Sequence, residues 1–166
     1  MDAKAFARSC AGEARSIPDC NWFSRGKVDL QRVDAALLRK SVLDVRIKAA
    51  VAIDPELTNT FTGPSLKAVS VPIDIVNLGN ADQIPRSLDA STLGLKVPGA
   101  RYHMIEDATS FSAFSQCKPK GLAILKSEGD DGALCQEPGK RTRENIHDHL
   151  ATLIEAALQG SFSHAR

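Results

Sequence analysis

The chain has 166 residues, of which 43% are hydrophobic, and at this length one domain can bury a stable core. Its 21 basic and 20 acidic side chains leave a net charge of +1, and they form no basic cluster of the kind that attracts nucleic acid. No run approaches the roughly 20 consecutive apolar residues that a membrane-spanning helix needs. We therefore expect a single domain, 1–166, that has neither nucleic acid nor membrane as a partner.

The amino-terminal part of the chain is predicted to be irregular over residues 1–27, because residues 9–27 are rich in Cys, Pro, Gly and Ser. Residues 1–8 look like the interior of a helix and lack the order of a secretory signal, so we expect a fragment or a start within a longer reading frame. Residues 28–43 have helical spacing and are predicted to form an amphipathic helix that runs directly into the first strand.

Three short β-rich runs alternate with helix-length connections, which is typical of parallel strands joined by crossovers. The first run opens at Val45 and closes at Ile53, before Asp54-Pro55; the others are residues 71–78 and 100–106. Crossover helices are predicted over 64–69 and 87–95. The expected fold class is α/β, with about three parallel strands and flanking helices.

The carboxyl-terminal part should contain a long helix over residues 142–159, with Gly160 at its C-cap. Its apolar residues recur at helical spacing and should cover one face of the sheet; they are Ile146, Leu150, Leu153, Ile154, Ala157 and Leu158. Residues 118–140 are predicted to be mainly loop, with a short helix over 121–126 as an alternative.

The four cysteines lie two at each end of the chain, as Cys10 with Cys20 and Cys117 with Cys135. They have neither the C-x-x-C spacing nor the matched histidines of a structural zinc site. Two interpretations remain open, namely two local disulfides or free buried thiols. With disulfides, the parent protein would be periplasmic or secreted; otherwise it would be cytoplasmic.

Four segments, in their order and spacing, resemble α/β-hydrolases related to dienelactone hydrolase and to platelet-activating-factor acetylhydrolase. They are residues 46–55, 71–82, 98–101 and 111–119, and the resemblance extends over about residues 28–158. It implies a partial α/β-hydrolase fold without a cofactor or metal. It also implies a catalytic serine, acid and histidine.

Only the acid of that trio has a counterpart here. The resemblance aligns it with Asp82, although Asp82 could instead cap a turn or the next helix. The histidine position is occupied by Ser110, which cannot serve as a general base near neutral pH. The G-x-S-x-G motif of the nucleophile is absent from the sequence, so the nucleophile would lie upstream of Met1.

The four histidines of the sequence are weak candidates for the missing general base or for a metal site. His103 is expected to be an ordinary strand histidine, and His147 and His149 should point to different helix faces, so they cannot share a metal. Replacement of the missing base by His147 is a minor alternative, and His164 lies in the tail.

Asp74 interrupts the second strand on the same face as Val76 and Leu78. An unpaired carboxylate there would be costly, so it needs a cationic partner, a strand-end location or an uncovered face.

Three functions follow from these observations. The first is a truncated or degenerate hydrolase-like module that forms a homo-oligomer, because one neighbour of the strand at 45–53 would belong to the missing half and leave an open edge. The second is a fragment of a carboxylic ester or lactone hydrolase. The third is a small protein that binds an ester ligand near Asp82 and Ser110.

Overall fold

Three parallel strands form the centre of the computed structural model, which describes residues 1–12, 14–15 and 17–163. The strands are β1 (Ala50–Ile53), β2 (Ile73–Leu78) and β3 (Arg101–Ile105), and their order in the sheet is β1-β2-β3. Ala50 lies opposite Ile73 in the first pair, and Asp74 opposite Arg101 in the second. The α/β class and the parallel pairing are thus confirmed.

The described residues contain seven α-helices: α1 (Ala3–Ala11), α2 (Pro18–Arg25), α3 (Ala35–Arg39), α4 (Gly63–Lys67), α5 (Ser91–Lys96), α6 (Gly121–Ser127) and α7 (Arg143–Ser163). Short 3₁₀ helices occur at Leu30–Arg32, Thr58–Thr60, Ser110–Ala113 and Ala133–Cys135. In the described part of the chain, no helix has the length and apolarity to cross a membrane.

The two faces of the sheet are covered by different helices, because alternate strand residues point to opposite faces. On one face Val76, Leu78 and Ile105 pack against Ile146 and Leu150 of α7, as predicted for the long helix. On the other face lies a second cluster, formed by Leu66 of α4, Ile75 of β2, Leu93 of α5 and Val97, which directly follows α5.

Helix α5 approaches β3 closely at Gly94. A Cβ atom at this position would lie 2.8 Å from the Cβ of Tyr102, so only glycine fits without a shift of the backbone.

The prediction of an irregular segment over residues 1–27 is wrong, because α1 and α2 lie within it. Their side chains form a third apolar cluster, comprising Phe6, Cys10, Ala14, Ile17, Cys20 and Leu57. The amide of Asp2 donates to the carbonyl of Thr60 at 2.8 Å and joins this unit to the loop after β1. Burial of this apolar cluster thus stabilises two helices in a segment whose composition alone predicted a loop.

The predicted helix over 28–43 is also wrong. Asp34 accepts hydrogen bonds from the amides of Ala36 and Leu37 and therefore starts the new helix α3 rather than continuing an older one. The backbone of Lys40 is extended, which ends α3. The first strand starts five residues later than expected because its pairing with β2 begins only at Ala50.

Both local disulfides are present, Cys10–Cys20 and Cys117–Cys135, and none of the cysteines is free. The first bridge links α1 to α2, and the second links the segment before α6 to the 3₁₀ helix at Ala133–Cys135. Of the two interpretations left open by the sequence, the disulfides are confirmed.

Candidate functional site

Asp54 lies at the carboxyl end of β1 with its backbone in the left-handed region (φ 48°). Its Oδ1 accepts a hydrogen bond from the Leu78 amide at 3.1 Å and another from Asn77 Nδ2 at 2.8 Å. Two contacts from β2 therefore fix the carboxylate above the ends of two adjacent strands, the edge where parallel sheets commonly bind ligands.

Asn77 is fully buried and supports Asp54 from below. Besides its bond to Asp54, its Nδ2 donates to the Leu88 carbonyl at 2.8 Å. Its Oδ1 accepts from the Ala90 amide at 2.8 Å and from the Tyr102 hydroxyl at 3.1 Å. All four hydrogen-bonding positions of the amide are thus used, so Asn77 holds the loop before α5 and the carboxylate in one fixed arrangement.

Ser110 approaches Asp54 from the loop after β3, where it starts a 3₁₀ helix. Its hydroxyl donates a short hydrogen bond to Oδ2 of Asp54. The two side chains line a cavity of about 160 Å³ together with residues of the two neighbouring loops, among them Gly79, Gln83, Ile84, Leu88 and Thr109.

Asp82 is not part of this arrangement. Its side chain is exposed, in a turn three residues after Gly79, and Ser110 is bonded to Asp54 instead. The structure thus brings together Ser110 and the aspartate after the first strand, not the aspartate after the second. In the sequence, Asp54 was interpreted only as the residue that ends β1, although a carboxylate directly after a parallel strand is itself a signal for this edge.

The Asp54–Ser110 pair has no imidazole, since the histidines that the structure describes have other partners. His147 Nε2 lies 2.9 Å from the Ser112 carbonyl and 3.1 Å from that of Phe114. A carbonyl only accepts, so Nε2 must carry its proton and cannot take one from a serine there. The alternative in which His147 replaces the base is therefore not supported by its contacts.

The two other histidines that the structure describes have partners away from Asp54 and Ser110. His149 Nδ1 accepts a bond from Arg141 at 3.4 Å, and His103 contacts Asp74. His164 lies outside the described residues. Among the residues that the structure does describe, no three His, Cys, Asp or Glu side chains converge as metal ligands.

Two groups beside the site, Tyr102 and Glu56, have raised pKa values. Burial raises the pKa of Tyr102, and the nearby Asp89 and Asp54 raise it further. Burial also raises the pKa of Glu56, with Asp19 and Asp54 adding to the effect, and its Oε2 is buried without a hydrogen-bond partner. The loop after β1 is thus an acidic, partly desolvated region that disfavours further negative charge.

Asp74 is paired, which resolves the question that its strand position raised. Arg101 donates from Nε to Oδ1 at 2.9 Å and from Nη2 to Oδ2 at 2.7 Å, and His103 Nε2 lies 2.7 Å from Oδ1. Burial by itself would raise the pKa of Asp74, but the bonds and charges of Arg101 and His103 outweigh it and lower the pKa. Both partners lie on the adjacent strand β3: Arg101 is directly opposite Asp74, and His103 is two residues further along the strand.

This pairing predicts a specific response to acid. Because the folded-state pKa of Asp74 is lowered, its stabilisation is complete above the unfolded value of about 3.9 and is lost as the pH falls through the folded value. We expect Asp74→Asn to lower the free energy of unfolding at pH 7 and to flatten its decline below about pH 4. Urea unfolding at pH 7 and pH 3 measures both effects. The exposed control Asp148→Asn should change neither, and an equal decline in wild type and Asp74→Asn would contradict the assignment.

Comparison with protein-family models, with curated proteins and with solved structures finds no match for this chain. The resemblance to dienelactone-type hydrolases stays a prediction from the sequence. What the structure supplies is a three-stranded α/β core with a carboxylate and a hydroxyl at the carboxyl edge of its sheet.

Proposed function

We propose that this chain is a degenerate α/β-hydrolase-like module without hydrolase activity of its own, which acts by self-association through the open edge of β1. The observation that supports the loss of catalysis is the direct Ser110–Asp54 contact where an imidazole would be required. An aspartate is a weak base for a serine hydroxyl, and no G-x-S-x-G motif supplies another nucleophile.

The edge of β1 supports the second part of the proposal. The amide of Ala50 donates to the carbonyl of Pro72, directly before β2, at 3.0 Å, and the amide of Asp54 donates to the carbonyl of Val76 in β2 at 2.7 Å. Since alternate residues of a parallel strand bond to one neighbour, the backbone groups of Val51 and Ile53 face the open side. Such groups can pair with a strand of another molecule.

The segment before β1 adds an apolar surface to this edge. Four side chains of the segment are at least half exposed: Val42, Leu43, Val45 and Ile47, with exposed fractions of 87%, 56%, 77% and 51%. Clustered exposure of this kind is typical of a surface that another chain covers. The prediction that the homo-oligomer forms near residues 45–53 therefore rests on both backbone and side chains.

The expected result is a homodimer in multi-angle light scattering at micromolar concentration. The double variant Val45→Lys, Ile47→Lys should shift the mass to that of a monomer, because it places two charges on the proposed interface. Leu95→Lys is the matched control: Leu95 is 87% exposed on α5, away from β1, and its replacement should leave the dimer intact. A monomeric wild-type protein, or equal dissociation of the control, would refute self-association at this edge.

A second candidate is the ester- or lactone-hydrolase fragment, favoured by the cavity that Asp54 and Ser110 line. The same samples separate the two functions through a p-nitrophenyl ester assay. We expect no hydrolysis above background. Hydrolysis that Asp54→Ala abolishes, while Asp82→Ala preserves it, would instead favour the hydrolase.

A further inference from the structure

A groove of about 770 Å³ lies on the sheet face that α4 and α5 cover, separate from the cavity at Asp54 and Ser110. Its floor is formed by Ala52 of β1 and by Ile73 and Ile75 of β2. Its far wall is the segment 38–43, which comprises the end of α3 and the residues that follow it. This volume falls within the range of about 300–1,000 Å³ in which small-molecule pockets are found.

The groove is lined mainly by aliphatic side chains and offers few polar partners. Leu66 and Val69 at α4 and Leu93 and Val97 at α5 extend the apolar floor away from β1. A polypeptide inserted here would bring backbone N–H and C=O groups that need hydrogen bonds. An alkyl chain has no such groups, so the lining favours a hydrocarbon occupant over a peptide.

Charge at the groove is of one sign. Arg39 and Lys40 line it, and the described residues of the lining include no Asp or Glu. Arg39 Nε donates to the Ala35 carbonyl at 3.0 Å, a bond that does not use the two terminal nitrogens of the guanidinium. Arginine and lysine bind carboxylates through charge-assisted hydrogen bonds, in which the planar guanidinium can contact both oxygens.

We propose that this groove binds a free fatty acid, with its alkyl chain along Ala52, Ile73 and Val69 and its carboxylate on Arg39 and Lys40. Burial of the alkyl chain supplies most of the affinity, since every methylene group removed from water contributes favourably to binding. The two cations select the ionised acid over a neutral ester. This binding goes beyond the proposed self-association and does not depend on it.

The test is a fluorescence titration of the purified chain with cis-parinaric acid and, separately, with its methyl ester. We expect saturable binding of the acid at one site per chain. Ala68→Trp places a bulky ring in the groove at an exposed position and should weaken binding at least tenfold. The matched control Ala151→Trp, exposed on α7, should bind like wild type.

The cations are tested with the double variant Arg39→Ala, Lys40→Ala. It should weaken binding of the acid by about tenfold, which corresponds to 1.4 kcal/mol, and leave binding of the methyl ester unchanged. The pair Lys118→Ala, Lys120→Ala, exposed at the far end of the chain, is its control.

Three results would overturn the proposal: no saturable binding, an equal loss in Ala151→Trp, or displacement of the probe as the chain self-associates in light scattering. The last would identify a second copy as the occupant of the groove. A monomer that binds the acid would instead refute self-association and leave the fatty-acid site intact.

Discussion

Replacement of Arg143 by alanine is expected to lower the free energy of unfolding by about 3–5 kcal/mol, the cost of stranding one partner of a buried ion pair. The Arg143 side chain is 5% exposed and its Nε lies 2.5 Å from Oε1 of Glu137, itself only 11% exposed. A typical domain has a free energy of unfolding of only about 5–15 kcal/mol, so this loss is a large fraction of it. Urea unfolding followed by circular dichroism measures it.

The arginine also organises the loop that carries Ser110 and the segment after α6. Its Nη1 donates to the carbonyls of Leu134 and Ser115, and Glu137 accepts a short bond from the Ser112 hydroxyl. The alanine variant should therefore loosen the 3₁₀ helix at Ser110–Ala113.

Two further variants identify the cause of the Arg143 effect. The exposed pair of Arg46 and Asp44 has similar contacts, yet Arg46→Ala should change stability little because water screens that pair. Replacing both buried partners by leucine should recover much of the loss, since no charge is then stranded. A small effect of Arg143→Ala, equal to that of Arg46→Ala, would show that the buried pair contributes little.

Asn77→Leu is expected to have the second large effect, because it removes four hydrogen bonds from a fully buried position. The Ala90 amide and the Leu88 carbonyl lose their side-chain partner, and each buried group left unpaired costs roughly 1–3 kcal/mol. Asp54 loses one of its two contacts from β2. Hydrogen exchange at the Ala90 amide should accelerate together with a fall in the free energy of unfolding.

Asn21→Leu is the control for this substitution, since Asn21 is exposed on α2 and should be nearly neutral when replaced. Unchanged exchange at Ala90 in Asn77→Leu would show that the amide is protected without the asparagine side chain.

The sheet could be predicted from the sequence because its strands end at strong local signals. The pairs Asp54-Pro55 and Gly79-Asn80 place the carboxyl ends of β1 and β2 where the structure has them. The starts of the strands were less predictable, because residues 45–49 have β-rich composition but no strand to pair with. The β-rich composition of a segment is a local property, whereas the first residue of a strand is set by where the neighbouring strand begins to pair with it.

The candidate site was only partly predictable, for a similar reason. Ser110 was identified through the position that it occupies in the resemblance, but its acid partner was assigned to Asp82. Two aspartates follow successive parallel strands, and the sequence does not reveal which one the loop after β3 meets. The left-handed backbone of Asp54 turns its carboxylate toward Asn77 and Ser110, and that geometry arises only in the folded chain.

The two disulfides lie outside the sheet, each closing a short stretch of chain at one flank of the molecule. The covalent links therefore do not join one strand to another. Strand pairing relies on hydrogen bonds, apolar packing and the contacts of Asp74 with Arg101 and His103. In a reducing compartment the central strands would keep these interactions, while the two flanks would lose a crosslink each. The redox state of the surroundings thus acts on the periphery of this molecule and leaves the interactions of its centre in place.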